Sequence, residues 1–183
     1  MDLGPGPHAP SFSVANKAAR VLWGLSWLVL CRFTPPPLWS WRSTVLRLFG
    51  ASVGANVRIY GSTRIWLPRN LAIGEGAVLG RCVNCYNQGH ITIGPGAVIS
   101  QNVSLIASTH LVEDPSFPLV LRPVHIGRAA WVAAEAFVGP GVTIGEGAVL
   151  GARGVAMQDL APWTYYAGNP ATRLKPRPNP DLR

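Results

Sequence analysis

His110 is the residue whose type and position could do chemistry. Aliphatic residues recur at every sixth position on both sides of it, but directly after His110 the repeat stops for fifteen residues, 111–125, and resumes at Ile126. A neutral imidazole can accept the proton of a hydroxyl group that attacks an electrophile. A histidine placed where a regular scaffold gives way to a loop is therefore our candidate general base.

The cysteines do not complete any recognisable site. Cys82 and Cys85 have CxxC spacing, but no second pair and no matching histidine spacing completes a zinc site. We therefore expect no metal site. The sequence also has no Ser-His-Asp order that would point to a covalent acyl-enzyme. An odd number of cysteines without a cleavable signal peptide favours the reducing cytoplasm.

The charge of the chain favours anionic partners. Sixteen basic and eight acidic residues give a formal charge of +8, which suits acidic lipid headgroups or a phosphate-rich cofactor. The basic residues are scattered, and no run of five or more resembles a nucleic-acid-binding arm. We do not expect nucleic acid as a partner.

The scaffold around His110 is a six-residue repeat. From Val53 the chain divides into five blocks of three hexads, whose first position is Val, Ile or Leu in 13 of 15 cases and whose second position is Gly in 8. Neither a helical period nor the period of an ordinary strand explains this spacing. A coil of three flat faces, with one strand and one turn per hexad, does explain it. We predict an all-β solenoid of about five coils.

The rest of the chain is divided as follows. We expect residues 1–15 to form a flexible tail, 16–50 a helical hairpin, 51–161 the solenoid with a protruding loop at 111–125, and 162–183 a C-terminal segment. Three prolines at 35–37 separate the two helices. Thr34 is the expected cap of the second helix and Gly50 its stop. Its predicted apolar stripe consists of Leu38, Trp41, Val45, Leu48 and Phe49.

The helical hairpin has two interpretations. Its uncharged apolar run, residues 21–31, is about half as long as a bilayer span requires. Its tryptophans and arginines could rest in a membrane interface. They could equally pack on the main domain or on another subunit. The residues in question are Trp23, Trp27, Trp39 and Trp41, with Arg20, Arg32, Arg42 and Arg47.

The repeat block I-G-x-x-A-x resembles the hexapeptide-repeat acyltransferases over residues 53–174. Further stretches resemble the colanic acid biosynthesis acetyltransferases, which are allied to galactoside and maltose O-acetyltransferases; these are LWGLSWLVL, LRLFGASVG, VNCYNQ, STH, FPL and APWTYYAGNPA. The resemblance implies a left-handed parallel β-helix and an acetyl-CoA-dependent O-acetyltransferase that acts on a saccharide hydroxyl in exopolysaccharide biosynthesis. It also implies a homotrimer with sites between protomers. The implied location is the cytoplasm or the inner face of its membrane.

The resemblance also implies roles for individual residues. His110, in the Thr-His step, is the expected general base of a direct transfer. The acceptor that orients its other ring nitrogen could be Glu113, Asp114 or a backbone carbonyl. The expected saccharide-binding residues are Asn84, Tyr86, Asn87 and Asp114. The expected acetyl-CoA-binding residues are Trp131, Ala134, Ala152 and Gly168 along the pantetheine arm, and Arg173 and Lys175 at the phosphates.

Several alternatives stay open. The segment 84–87 could simply be polar turns of the repeat, and Trp131 could pack between subunits. The whole chain could be a catalytically silent scaffold. A zinc carbonic anhydrase of the same fold would need three converging histidines, and the four in this sequence, His8, His90, His110 and His125, lack the closely spaced pair of that class.

Overall fold

The computed structural model describes residues 12–180. Most of the predicted tail, including His8, lies outside this range, as does Arg183 at the other end. The helices are Val14–Leu30 (α1) and Trp39–Leu48 (α2), with a 3-10 turn at Pro68–Asn70. In chain order the strands are Ser52–Val53 (β1), Arg58–Ile59 (β2), Arg64–Ile65 (β3), Leu71–Ile73 (β4), Val78–Leu79 (β5), Asn84–Tyr86 (β6), Ile91–Ile93 (β7), Val98–Ile99 (β8), Ser104–Ile106 (β9), Ser108–His110 (β10), Leu119–Leu121 (β11), Val124–Ile126 (β12), Trp131–Val132 (β13), Phe137–Val138 (β14), Thr143–Ile144 (β15), Val149–Leu150 (β16), Val155–Ala156 (β17), Thr164–Ala167 (β18) and Thr172–Pro176 (β19).

Three parallel sheets form the faces of the solenoid. Face 1 has the order β1-β4-β7-β12-β15, and face 3 has the order β3-β6-β9-β14-β17. Face 2 continues through β2-β5-β8-β13-β16 to β18, and β19 then folds back antiparallel on β18. The all-β solenoid prediction is confirmed: five complete coils are followed by one strand of a sixth.

The leading aliphatic residues of the hexads form the interior of the solenoid. On face 2, Ile59, Leu79, Ile99, Val132 and Leu150 lie in register and are fully buried. Burial of each such side chain contributes about 1.5–3 kcal/mol relative to exposure. The glycine after the leading aliphatic is required by close approach, because a Cβ on Gly94 would lie 2.6 Å from the backbone nitrogen of Arg128.

The two helices close the first end of this core. Ser13 caps α1 by accepting a hydrogen bond from the backbone N–H of Asn16 at 3.2 Å. Trp23 and Trp27 are buried, and their indole N–H groups donate to the carbonyls of Ile65 at 2.7 Å and Gly61 at 3.1 Å. These two tryptophans therefore pack on the solenoid and are not available to a membrane interface.

The prediction for α2 was partly wrong. Leu38, and not Thr34, is its N-cap residue, and the side-chain hydroxyl of Thr34 instead donates to the carbonyl of Cys31 at 2.7 Å. Of the predicted stripe only Val45 is fully buried, while Leu38, Trp41 and Leu48 are exposed and Phe49 is half-buried. Gly50 follows the helix with a φ of 90°, as a stop residue should.

Arg42 explains why the buried side of α2 differs from the predicted stripe. Its guanidinium is fully buried and donates to the hydroxyl and carbonyl of Thr34 and to the carbonyls of Pro35, Pro36 and Ile59. Burial lowers the pKa of Arg42. The arginine thus supplies donors to the carbonyls of the proline turn and, through Ile59, ties this turn to the first coil.

The interruption after His110 is a β-hairpin. Strands β10 and β11 pair antiparallel, with Thr109 opposite Val120 and His110 opposite Leu119. Leu119 and Val120 are buried, which accounts for the apolar character of the loop. The chain re-enters face 1 at β12, so Val124 and His125, the last residues of the predicted loop, already belong to a coil.

Candidate active site

His110 lies at the end of β10, where the hairpin leaves the corner between faces 3 and 1. Its ring is exposed and stacks on the ring of Phe117, with centroids 4.4 Å apart and planes 7° from parallel. The imidazole Nδ1 lies 2.9 Å from the backbone carbonyl oxygen of Phe117. The orienting group is therefore a backbone carbonyl, one of the three acceptors that the sequence left open.

This contact fixes the tautomer of the imidazole. A carbonyl oxygen can only accept a hydrogen bond, so Nδ1 must carry the proton and donate it. In the neutral ring the lone pair then belongs to Nε2. The arrangement presents an oriented proton acceptor at the surface of the hairpin.

Phe117 reaches His110 through an unusual backbone conformation. Its φ is 48°, in the left-handed region that a bulky residue rarely adopts. The turn is supported by hydrogen bonds from the N–H of Phe117 to the carbonyl of Asp114 at 2.8 Å and from the N–H of Leu111 to the carbonyl of Pro118 at 3.1 Å. No pattern in the sequence indicated this role, because Phe117 was noted only as part of the FPL stretch.

Asp114 organises the same turn. One of its carboxylate oxygens accepts hydrogen bonds from the backbone N–H and the hydroxyl of Ser116, both at 2.8 Å. These hydrogen bonds lower the pKa of Asp114, since they favour its charged form. Asp114 is half-buried on the hairpin that carries His110, but it is not the group that orients the imidazole.

A hydrogen-bonded chain links the root of the hairpin to the preceding coil. The hydroxyl of Ser108 donates to the amide oxygen of Gln88 at 2.6 Å, and the amide nitrogen of Gln88 donates to the hydroxyl of Tyr86 at 3.0 Å. Ser108 and Gln88 are buried, whereas Tyr86 is about one-third exposed. The structure thus connects Tyr86 to the strand of His110 through two residues that sequence reasoning missed.

The two predicted asparagines have different surroundings. Asn84 is a half-buried residue of β6 on face 3, and its neighbour Cys85 points into the core. Asn87 is fully buried: its amide accepts from the N–H groups of Trp66 and Leu67 and donates to the carbonyl of Leu67. The prediction for Asn87 needs correction, because its side chain holds the neighbouring loop and offers no surface to a ligand.

Three of the predicted donor-side residues form one column. Register pairs Val132 with Leu150 and Leu150 with Tyr166, so Ala134, Ala152 and Gly168 occupy equivalent positions two residues later, at the corner between faces 2 and 3. The N–H of Arg153 donates to the carbonyl of Ala134 at 2.9 Å, which ties the fourth and fifth coils together. We call this column of small residues the small-residue corner.

The remaining predicted donor-side residues lie on face 2. The exposed ring of Trp131 donates to the hydroxyl of Ser100 at 3.0 Å and lines a groove of about 320 Å³ with Val98 and Arg177. Arg173 and Lys175 are exposed on β19, beside the strand that leads to Gly168. Two cationic side chains thus lie near the end of the small-residue corner.

His110 and the small-residue corner are not brought together within one chain. The hairpin leaves from the corner between faces 3 and 1, whereas the column lies between faces 2 and 3, with face 3 between them. Among residues 12–180, no three histidine, cysteine, aspartate or glutamate side chains converge closely enough to hold a metal ion.

Comparison with known proteins decides the family. No protein-family model matches the chain. The chain is 40% identical over 177 residues to the "Putative colanic acid biosynthesis acetyltransferase WcaF" of Escherichia coli K12, covering 97% of both chains. The chain belongs to the hexapeptide-repeat acetyltransferases. Membership in this family makes it an acyltransferase, and the resemblance read from the sequence is confirmed.

Solved structures give the same fold. The acetyltransferase matches a galactoside acetyltransferase in complex with coenzyme A with a TM-score of 0.83 and 22% identity, over 95% of this chain and 88% of that one. It matches a hexapeptide-repeat acetyltransferase of Vibrio cholerae, complexed with acetyl-CoA, with a TM-score of 0.83 and 21% identity, over 95% of each chain. The match assigns the solenoid to the left-handed parallel β-helices, as predicted.

Proposed function

We propose that the chain is an acetyl-CoA-dependent O-acetyltransferase that modifies a saccharide hydroxyl in exopolysaccharide biosynthesis. The observation that carries the mechanism is the 2.9 Å contact between Nδ1 of His110 and the carbonyl of Phe117. Because Nδ1 must donate in this contact, Nε2 has the lone pair that a general base needs. The 40% identity to WcaF, which is named as a colanic acid biosynthesis acetyltransferase, supports the saccharide pathway.

The reaction is a direct transfer. Nε2 of His110 removes the proton of the acceptor hydroxyl as its oxygen attacks the thioester carbonyl carbon, which forms a tetrahedral oxyanion. The C–S bond then breaks, and the imidazolium gives its proton to the departing thiolate. The products are an acetyl ester and coenzyme A. Because the hydrogen bond to Phe117 survives both proton transfers, the ring keeps its orientation throughout the cycle.

The donor lies along the small-residue corner in this proposal. Ala134, Ala152 and Gly168 leave room for a pantetheine arm against the coils, while Trp131 flanks it. Arg173 and Lys175 are the cations that suit the phosphates of the nucleotide. The acceptor binds beside the hairpin, where Tyr86 and Asn84 supply polar groups and Asp114 shapes the loop.

Two copies of the chain are needed to complete the site. The small-residue corner and His110 lie at opposite edges of face 3 in one chain, so a donor along that corner meets the His110 of a neighbouring copy. Flat solenoid faces and closed cyclic symmetry support a homotrimer. A cytoplasmic location is part of the same proposal.

Two measurements test the proposed function. The first is release of thiol from acetyl-CoA by the purified protein in the presence of saccharide acceptors, with mass spectrometry of the product. The second is mass spectrometry of exopolysaccharide from cells that carry the wild-type chain or His110→Ala. We expect one acetyl group to disappear in the variant. Unchanged acetylation, together with no turnover of acetyl-CoA, would favour the silent scaffold.

A further inference from the structure

The outward face of α1 is apolar. Helical residues 17–30 bury Trp23 and Trp27 on one side, and their opposite side should be polar in a helix that faces water. That side instead exposes large aliphatic side chains, with Val14 82%, Val21 63% and Val29 77% exposed. At 100° per residue, one stripe on the outside contains Val14, Ala18, Val21, Leu22, Leu25, Leu28 and Val29.

This apolar stripe continues beyond the helix. Leu30, the last residue of α1, is 40% exposed, and Phe33 in the connection to α2 is 82% exposed. Eleven of the eighteen exposed large apolar side chains of the described residues lie between positions 14 and 48. An exposed apolar surface concentrated on one segment of the chain indicates an interaction site rather than ordinary scattered exposure.

The same end of the molecule carries the net charge of the whole chain. Residues 12–74 contain seven arginines and one lysine and no aspartate or glutamate, whereas the rest of the sequence has eight basic and eight acidic residues. Six of these eight cations are exposed; they are Lys17, Arg32, Arg47, Arg58, Arg64 and Arg69. The apolar stripe therefore belongs to a strongly cationic end of the solenoid.

We propose that α1 docks on an anionic phospholipid surface, with its axis in the plane of the membrane. The aliphatic stripe enters the boundary between headgroups and acyl chains, and Lys17 and Arg32 contact the phosphates at its two ends. The contacting residues differ from the tryptophans and arginines that the sequence suggested for a membrane interface. Trp23, Trp27 and Arg42 face the solenoid, so aliphatic residues make the proposed contact.

Two other roles for this face, a membrane span and a contact with a second copy of the chain, fit less well. Within residues 12–180 neither helix combines the length and the apolar character that a membrane span requires. Pairing of this surface with the same surface of a second copy would bring two cationic ends together without a carboxylate on either side, which electrostatic repulsion opposes. A surface that is both apolar and cationic complements an anionic lipid interface.

Co-sedimentation of the full chain with lipid vesicles tests the proposal. We expect the protein to pellet with vesicles that contain phosphatidylglycerol and to stay in solution with phosphatidylcholine alone, and salt to weaken the binding. Leu25→Ser with Val29→Ser should reduce the bound fraction at least about tenfold, because two aliphatic side chains no longer enter the bilayer. Lys17→Gln with Arg32→Gln should reduce it about tenfold on anionic vesicles.

A matched control keeps the test specific. Leu174→Ser with Val112→Ser changes two similarly exposed apolar residues, 63% and 69% exposed, far from α1 in sequence, and should leave vesicle binding unchanged. Absence of wild-type binding to anionic vesicles would overturn the proposal. So would a change in subunit number caused by the Leu25 and Val29 substitutions, which would make this face a subunit contact.

Vesicle binding and catalysis are separable readouts. Acetyl transfer to a soluble saccharide is measured on the same variants, and we expect the α1 variants to retain it. Vesicle binding by a protein that transfers no acetyl group would count against the proposed function alone. Acetyl transfer by a protein that binds no anionic vesicles would count against the membrane proposal alone.

Discussion

The ring of His110 is held by two parts of Phe117. The carbonyl of Phe117 accepts the hydrogen bond from Nδ1 at 2.9 Å, and its phenyl ring stacks on the imidazole with centroids 4.4 Å apart. Backbone and side chain of a single residue therefore fix both the tautomer and the plane of the candidate base. This relationship holds the ring in the orientation that the proposed base catalysis requires.

The first prediction concerns the base itself. In His110→Asn the side-chain amide can still donate to the carbonyl of Phe117, but the variant has no Nε2 lone pair. We expect kcat to fall about 10²–10⁴-fold, as for loss of a general base, while acetyl-CoA binding and thermal stability change little. Steady-state kinetics and calorimetric titration with coenzyme A are the measurements. A His110→Asn enzyme with wild-type kcat would rule out base catalysis by this residue.

The second prediction concerns the stack. Phe117→Leu keeps the carbonyl but removes the aromatic face, and we expect kcat to fall about 2–10-fold, which matches the ~0.5–1.5 kcal/mol of an aromatic pair. Phe117→Tyr preserves the ring and serves as the control, with kcat near the wild-type value. Equal losses in both variants would show that the ring does not position His110.

The repeat made the solenoid predictable because its period equals one side of a coil. Each hexad has one inward residue, so the burial and register of Ile99 and Val132 follow directly from counting. The same counting places Ala134 and Ala152 at equivalent positions one coil apart, whereas their assignment to the donor came from the family resemblance. The candidate base was found because it ends the pattern.

The contacts outside the repeat could not be predicted in this way. An apolar helix does not reveal which side meets the end of a solenoid, so the burial of Trp23 and Arg42 had no sequence signal. The contact of Phe117 depends on a left-handed φ, which sequence rarely predicts for a bulky residue. Asn87 looked like a polar surface residue, although its amide completes the hydrogen bonds of a buried loop.

The third prediction concerns the small-residue corner. Ala152 is exposed, so Ala152→Leu should fold normally and obstruct the pantetheine arm. We expect the KM for acetyl-CoA to rise about tenfold with little change in kcat, which is the signature of lost donor binding. Ala55→Leu, at an exposed alanine of the first coil, is the control. A similar KM in both variants would show that the donor does not bind along this corner.

The fourth prediction concerns the helical cap. Arg42→Met would remove the donors of five hydrogen bonds that are made by a fully buried guanidinium. We expect the free energy of unfolding to fall by about 3–5 kcal/mol, measured by urea titration. Arg47→Met, which loses two bonds from an exposed arginine of the same helix, should cost about 1 kcal/mol. Equal losses of unfolding free energy in the two variants would show that Arg42 does not anchor the proline turn.

The last prediction uses the three thiols. Burial raises the pKa of Cys31 to about 11, an effect that the nearby positive charge of Arg42 only partly offsets, and burial raises the pKa of Cys85 to about 12. Thiols react with iodoacetamide as thiolates, so at mildly alkaline pH both groups remain protonated and shielded. Cys82 is exposed at a turn of the solenoid. Peptide mapping should therefore find only Cys82 alkylated in the folded protein and all three cysteines alkylated in urea. Modification of Cys31 under native conditions would mean that the helical cap opens from the first coil.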